Sequence, residues 1–348
     1  LTLSLLAKPT LVTLPALLVL LDIWPLRRTS LLPPETGQPA TWRRLGLEKL
    51  VAVIPAILLI AWLLFPTASG DGLPPHVPPL TDRIDNAIVS YARYLWHHVW
   101  FADLALPYPQ RIWSNGMVAG AGALLAGITA LSLWQVRRRP WLMIGWAWFV
   151  IAMGPMLGFR AFGDFAMADR FTYIPAVGLG IAVVWSIPQL TPKKPGMRRL
   201  MIAATTCLLG GLVASTIAYG RYWQNSERLF NRTIAVTGGD HESHHALGQY
   251  HVSRNETDQA IDHFRRSIEF RPTMKTTRAL GMALARDGQI DAAIAEFEQV
   301  LRNDPDDAIT HARIGTLCAA AGQADRAIHH LKRAVELKPD NTDYLRRL

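Results

Sequence analysis

Three prolines, Pro272, Pro305 and Pro339, stand 33 and 34 residues apart, and the same frame of residues precedes each one. Leu247, Gly248, Ala260 and Phe264 lead to the first. Leu280, Gly281, Gly288, Ala293 and Phe297 lead to the second, and Gly315, Gly322, Ala327, Leu331 and Ala334 to the third. A fixed period of this length marks stacked supersecondary units. Small residues where two helices cross, one large apolar side chain and a proline past the second helix describe a helical hairpin per repeat. Each hairpin buries its apolar face only against its neighbours, so the product is a curved solenoid with a concave groove. The units are expected at 241–273, 274–307 and 308–341, with Thr342–Leu348 as a further helix that begins or caps a turn of the array. In this register the first helices are expected to turn His245, Gln249, Arg278 and Met282 into the groove. Such grooves take extended or helical peptides.

The preceding residues, 1–220, obey a different rule. They carry 18 Lys and Arg against 9 Asp and Glu, whereas residues 221–348 carry 18 of each. The whole basic excess therefore lies in the apolar part of the chain. Its basic residues cluster between long apolar runs, which argues for membrane orientation and against nucleic acid. Six spans are expected: Leu3–Pro25, Leu50–Phe65, Asn115–Val136, Trp141–Phe159, Phe171–Gln189 and Leu200–Tyr219. Arg27, Arg28, Arg43, Arg44 and Lys49 occupy one loop, Arg137–Arg139 another, and Lys193, Lys194, Arg198 and Arg199 a third. These three loops alternate with the spans and are assigned to the cytoplasmic side. The other side then receives 67–114, the turn Arg160–Arg170 and the repeats. Ile84–Leu106 is aromatic but contains Arg93, His97, His98 and Asp103, and is expected to be a helix lying at the membrane interface. The expected fold class is all-α: a multi-span domain over 1–220, then a juxtamembrane helix and the solenoid over 221–348.

Ionisable groups in or beside spans are costly and mark functional positions. Lys8, Arg83 and Arg170 are the candidates for holding a lipid-borne phosphate, and Asp169 is the candidate for orienting Arg170 or for another polar contact with the donor. Asn86, Tyr91, Tyr94, Asp164 and Tyr173 are expected to support them. His241 and His245 stand one helical turn apart, a spacing able to chelate. The pattern supplies no third ligand, so no metal is expected. Cys207 and Cys318 fall in different halves, and no disulfide between them is expected.

The repeat frame resembles the tetratricopeptide (TPR) pattern. Leu5-Leu6-Ala7-Lys8-Pro9, Leu20-Leu21-Asp22-Ile23-Trp24-Pro25, Arg83-Ile84-Asp85-Asn86-Ala87, Gly145-Trp146-Ala147-Trp148-Phe149 and Ala168-Asp169-Arg170 follow in order ahead of it. Together they resemble bacterial membrane proteins that fuse a GT-C-type glycosyltransferase module to TPRs, similar to the transmembrane-and-TPR O-mannosyltransferases. The resemblance implies transfer of a sugar, expected to be mannose, from a polyprenyl-phosphate donor to protein hydroxyls outside the cytoplasm. The bilayer, the lipid-linked sugar and an acceptor or partner protein are the implied partners. An inner-membrane protein with periplasmic repeats is the implied location. In that pattern the acidic catalytic motif lies in the first external loop, so the base is expected upstream of Leu1 and this stretch alone is expected to be inactive. The other readings are a non-enzymatic membrane-anchored TPR scaffold for envelope complexes, and a polysaccharide ligase or polymerase-like protein. The second of these requires a large external loop rich in arginine, and 67–114 is only modestly basic.

Overall fold

The computed structural model describes residues 13–28, 79–100, 104–106, 108–109, 111–157, 165–192 and 194–347. The expected span Leu50–Phe65, the start of the first span, Lys8 and Asp164 lie outside these residues. The described chain is all-α but for one short antiparallel pairing, and it divides into two compact units.

The first unit begins with α1 (Leu14–Ile23) and α2 (Leu80–Val99). Next come the two-residue strand β1 (Tyr108–Pro109), α3 (Asn115–Trp134) and α4 (Pro140–Met153). The strand β2 (Phe165–Met167) pairs with β1 and leads through a 3-10 turn into α5 (Tyr173–Val184). Three stretches are long and apolar enough to cross a membrane: Asn115–Trp134, Asp169–Leu190 and Pro195–Gln224. Their outward faces are apolar, with Leu124, Leu131, Val183, Leu200 and Leu208 all at least half exposed. A bilayer is the solvent in which such faces are stable. Of the six expected spans, three coincide with these stretches among the described residues. The stretch expected at Trp141–Phe159 holds α geometry only to Met153, because Gly154 and Pro155 convert its end to 3-10. Proline at that point removes a helical donor and crowds the preceding turn.

Helices α4 and α5 pack with their backbones in contact at Gly145 and Gly178. Tryptophans tie the pair at both ends: Trp148 Nε1 donates to the Ile174 carbonyl at 2.9 Å, and Trp141 Nε1 donates to Ser186 Oγ at 3.1 Å. Helix α6 (Pro195–Gly220) follows and carries Cys207, an exposed free thiol.

The second unit opens with α7 (Ser226–Thr237) and continues as three hairpins. These are α8 (His241–Ser253) with α9 (Thr257–Phe270), α10 (Met274–Arg286) with α11 (Ile290–Asn303), and α12 (Ala308–Ala320) with α13 (Ala324–Leu337). The short α14 (Thr342–Arg347) ends the array. The repeat frame is visible as geometry. Phe264, Phe297 and Leu331 are buried knobs that cover Gly248, Gly281 and Gly315 on the facing helix. A Cβ on Gly281 would lie 3.0 Å from the Phe297 ring, and one on Gly315 would lie 2.7 Å from Leu331. The turn inside each hairpin uses a left-handed residue at Asn255, Gly288 and Gly322. Glycine adopts that conformation without strain, and asparagine is among the residues that tolerate it. Helix starts are capped by side chains of Asn225, Asp240, Thr273 and Asp307. Cys318 is buried in the core of this unit.

Phe297 sits at the centre of that core. Phe297→Ala is expected to cost about 3–5 kcal/mol, because it removes the buried ring that covers Gly281. Hydrogen exchange of residues 241–337 in the full chain measures it. Unchanged protection across α10 and α11 would contradict the knob's role.

Candidate functional site

In the first unit the polar groups converge where α2, β1 and the turn before α5 meet. Tyr94 on α2 is fully buried. Its hydroxyl accepts from the Ala168 N–H at 2.9 Å and faces the Ala168 carbonyl at 3.3 Å. Burial raises its pKa well above the usual tyrosine value. This pins the Ala168-Asp169-Arg170 segment to α2. The Asp169 carboxylate then accepts from the Tyr108 hydroxyl at 2.9 Å and meets His97 Nδ1 at 3.2 Å, while Tyr108 and His97 stand 3.4 Å apart. Three segments therefore build one acid–phenol–imidazole cluster.

One helical turn before His97, Arg93 lays its guanidinium over the rings of Tyr108 and Trp113, 5.1 and 5.5 Å from their centroids. Burial, with Arg111 adding to it, lowers its pKa from the usual arginine value. Guanidinium nonetheless stays charged at any working pH. Arg93, His97, Arg111, Trp96 and Trp113 line a groove of about 590 Å³ whose far wall is Met117, Ala121 and Leu124 of α3. Two guanidiniums above an apolar helix face can hold a phosphate whose substituent is a hydrocarbon chain.

The expected residues are distributed as follows. Asp169 is in the cluster, partly exposed. Asn86 accepts from Trp113 Nε1 at 3.2 Å and so positions a groove wall. Tyr91 donates to the Val150 carbonyl at 2.6 Å, fastening α2 to α4, and burial pushes its pKa up to about 12. Tyr94 serves the segment fastening just described. Arg170 is exposed and lies over Phe171 at 5.4 Å, away from the groove lining. Arg83 is partly exposed and also outside the lining, ten residues along α2 from Arg93. Tyr173 is 77% exposed. The groove is lined by Arg93 and Arg111, and neither Arg83 nor Arg170 is among its lining residues. The spacing of Arg93 and His97 on one helix face was the available signal. Nothing local pairs His97 with Asp169.

In the second unit, Gln249 and Met282 line a concave groove of about 500 Å³, together with Arg286, Arg313, Thr316 and Leu317. His245 does not line it. Its side chain is 3% exposed, packs on Phe264 and meets Thr276 Oγ1 at 3.1 Å. Burial, with Lys275 adding to it, lowers its pKa to about 4. Arg278 also turns elsewhere, forming an ion pair with the Asp307 cap at 2.7 Å that fastens the second repeat to the third. His244 and His263 bring their Nδ1 atoms to 3.1 Å, and His311 and His330 repeat the contact at 3.0 Å two units later. Among the described residues no group of three or more His, Cys, Asp or Glu side chains is arranged for a metal ion.

Comparison with known proteins agrees with the second unit. The tetratricopeptide repeat family matches residues 278–342. The chain is 24% identical over 110 residues to the protein O-mannosyl-transferase Tmtc2 of Drosophila melanogaster, in a TPR region. That stretch is 32% of this chain and 12% of the fly protein. Among solved structures, YrrB, a TPR protein with an unusual peptide-binding site, aligns at a TM-score of 0.34 and 21% identity over 37% of this chain and 67% of its own. MamA of AMB-1 aligns at 0.32 and 19% identity, over 63% of this chain and 94% of its own. Residues 278–342 match the tetratricopeptide repeat, and TPR domains in general bind peptides or partner proteins.

Proposed function

We propose that the chain is part of a membrane glycosyltransferase that moves a sugar, mannose in the first instance, from a polyprenyl-phosphate donor to protein hydroxyls outside the cytoplasm. The groove with Arg93 and Arg111 over an apolar helix face carries this reading. The repeats would recruit the acceptor or a partner. In the reaction the acceptor oxygen bonds to the anomeric carbon, the bond from that carbon to the phosphate oxygen breaks, and the proton of the hydroxyl passes to a carboxylate. The lipid phosphate departs with the bonding electrons, and Arg93 and Arg111 would stabilise that charge. Asp169, with both oxygens engaged, would position Tyr108 and His97 at the groove's edge. The match in a TPR region of Tmtc2, the ordered membrane blocks and the distribution of basic loops support the reading, with an inner-membrane site and the repeats in the periplasm.

The test is transfer of labelled mannose from polyprenyl-phosphate mannose to periplasmic proteins by the intact protein in proteoliposomes. Arg93→Ala and Arg111→Ala are each expected to lower transfer by about tenfold or more, since a charge-assisted contact contributes roughly 1.5–3 kcal/mol. Arg83→Ala, outside the groove, is expected to change it by less than about twofold. Wild-type protein that transfers no lipid-linked sugar would leave the second reading, a membrane-anchored TPR scaffold, which the open groove of the solenoid favours.

A further inference from the structure

Several arginines of the solenoid away from its groove form ion pairs. Arg278 pairs with Asp307, Arg326 with Glu298, Arg333 with Asp306, Arg254 with Glu256 and Arg266 with Asp262. The arginines that line the concave groove make no ion pair with the described residues. Arg286 donates to the Val252 carbonyl at 3.2 Å, and Arg347 donates to Thr316 Oγ1 at 3.1 Å, so each is oriented by a neutral acceptor. Arg313 is exposed between them and makes no ion pair with the described residues. Among the described residues no acidic side chain lines the groove. Residues 221–348 hold equal numbers of acids and bases, so this is a local separation of charge and not a property of the whole unit. Beneath the three guanidiniums the floor is apolar. Phe264, Ala279, Ala283 and Phe297 form it, and Met282, 43% exposed, stands beside Leu317 on the surface.

We propose that this groove takes an acidic peptide segment of a partner protein, with carboxylates on Arg286, Arg313 and Arg347 and an apolar side chain against Met282 and Leu317. Charge complementarity selects the occupant: a basic segment would meet three like charges with no acid to offset them. An uncharged segment would leave those guanidiniums without the bidentate acceptors they match best. The groove volume, about 500 Å³, is within the range that buries a compact ligand. The proposal rests on the reading of the repeats as the recruiting surface, and it is independent of sugar transfer.

The test pans a display library of random peptides of about ten residues against the intact protein in nanodiscs, then measures selected peptides by fluorescence anisotropy. The expected pool is rich in Asp and Glu around one or two apolar residues, and its binding weakens in high salt. Arg313→Glu is expected to lower affinity by about tenfold. Met282→Asp is expected to lower it as well. Both positions are exposed, and hydrogen exchange of α10 and α12 checks that the fold is unchanged. Neutral or basic peptides that need Met282 but ignore Arg313 would overturn the acidic assignment and leave the recruiting surface standing. A pool indifferent to both substitutions, or no enrichment, would overturn both.

Discussion

Adding one methyl group at Gly178 is expected to break the packing of α4 on α5. A Cβ there would collide with the Gly145 carbonyl and stand 2.8 Å from Trp148 Cβ and 2.9 Å from the Phe149 backbone nitrogen. The reciprocal Cβ on Gly145 would collide with the Gly178 carbonyl and reach Ala182 at 2.9 Å. These obstacles are backbone atoms and a neighbouring Cβ, none of which can rotate aside. Helices in lipid associate by close backbone approach, since the bilayer offers no hydrophobic drive to bring them together. Forcing them apart would also lengthen the Trp148–Ile174 and Trp141–Ser186 hydrogen bonds. Gly178→Ala is therefore expected to cost about 3 kcal/mol or more, at the upper end of overpacking effects. Gly180→Ala, on the same helix with nothing within 4 Å of its Cβ, is expected to be neutral or slightly stabilising. Thermal unfolding of the two variants in detergent, followed by near-ultraviolet dichroism of the tryptophans, compares them. Equal melting curves would show that the two helices do not touch at this point.

The TPR array is expected to lose stability between about pH 6.5 and pH 4. His245, His263 and His330 each titrate near 4 in the folded chain. The ordinary value is 6.5, which the unfolded chain keeps. In that interval the unfolded chain binds protons that the folded chain does not, so stability falls as pH falls and is fully present above 6.5. Burial is the main cause at all three. The rings of His244 and His251 and the guanidinium of Arg266 add to it at His263, where Asp262 opposes. At His330 the additions are His311, His329 and Arg326. The short Nδ1 contacts add to burial: neutral rings can share a hydrogen there, and two N–H groups cannot. Glu296 occupies the equivalent place in the middle repeat, and burial raises its pKa, so it works in the opposite direction at the acid end. His263 and His330 are partly exposed, so solvent screening reduces each contribution to about 1 kcal/mol. Together the three are expected to lower the melting temperature by roughly 10 °C between pH 7 and pH 4.5. Replacing His263 and His330 with Gln is expected to remove most of that dependence. Melting temperatures that agree at the two pH values, or a double variant as acid-sensitive as the parent, would rule this out.

The repeat period was legible because each of its requirements is local. A glycine under a knob, a left-handed turn and a proline after the second helix all lie within one hairpin, and the spacing alone brings Gly281 to Phe297. The apolar stretches of α3 and α6 were legible for the same reason, since length and hydropathy are properties of a single segment. Legibility ended where a side chain's direction depended on helix phase. His245 is four residues before Gln249 on α8, yet a small rotation of the helix against Phe264 and Thr276 puts it in the core, while Gln249 opens to the groove. Arg278 was placed in the groove because no local feature shows that Asp307, in the next repeat, would hold it. The site in the first unit lay further still from local rules. Asp169 lies 72 residues from His97 and 61 from Tyr108, and Arg93 meets Trp113 where Asn86 holds the indole. Sequence by itself determined the period, the apolar helices and the charge separation between the two parts of the chain, since neighbours along the chain decide those. Only the tertiary structure decided which cations share a groove and which histidines share a proton, because those depend on distances between segments that no spacing along the chain contains.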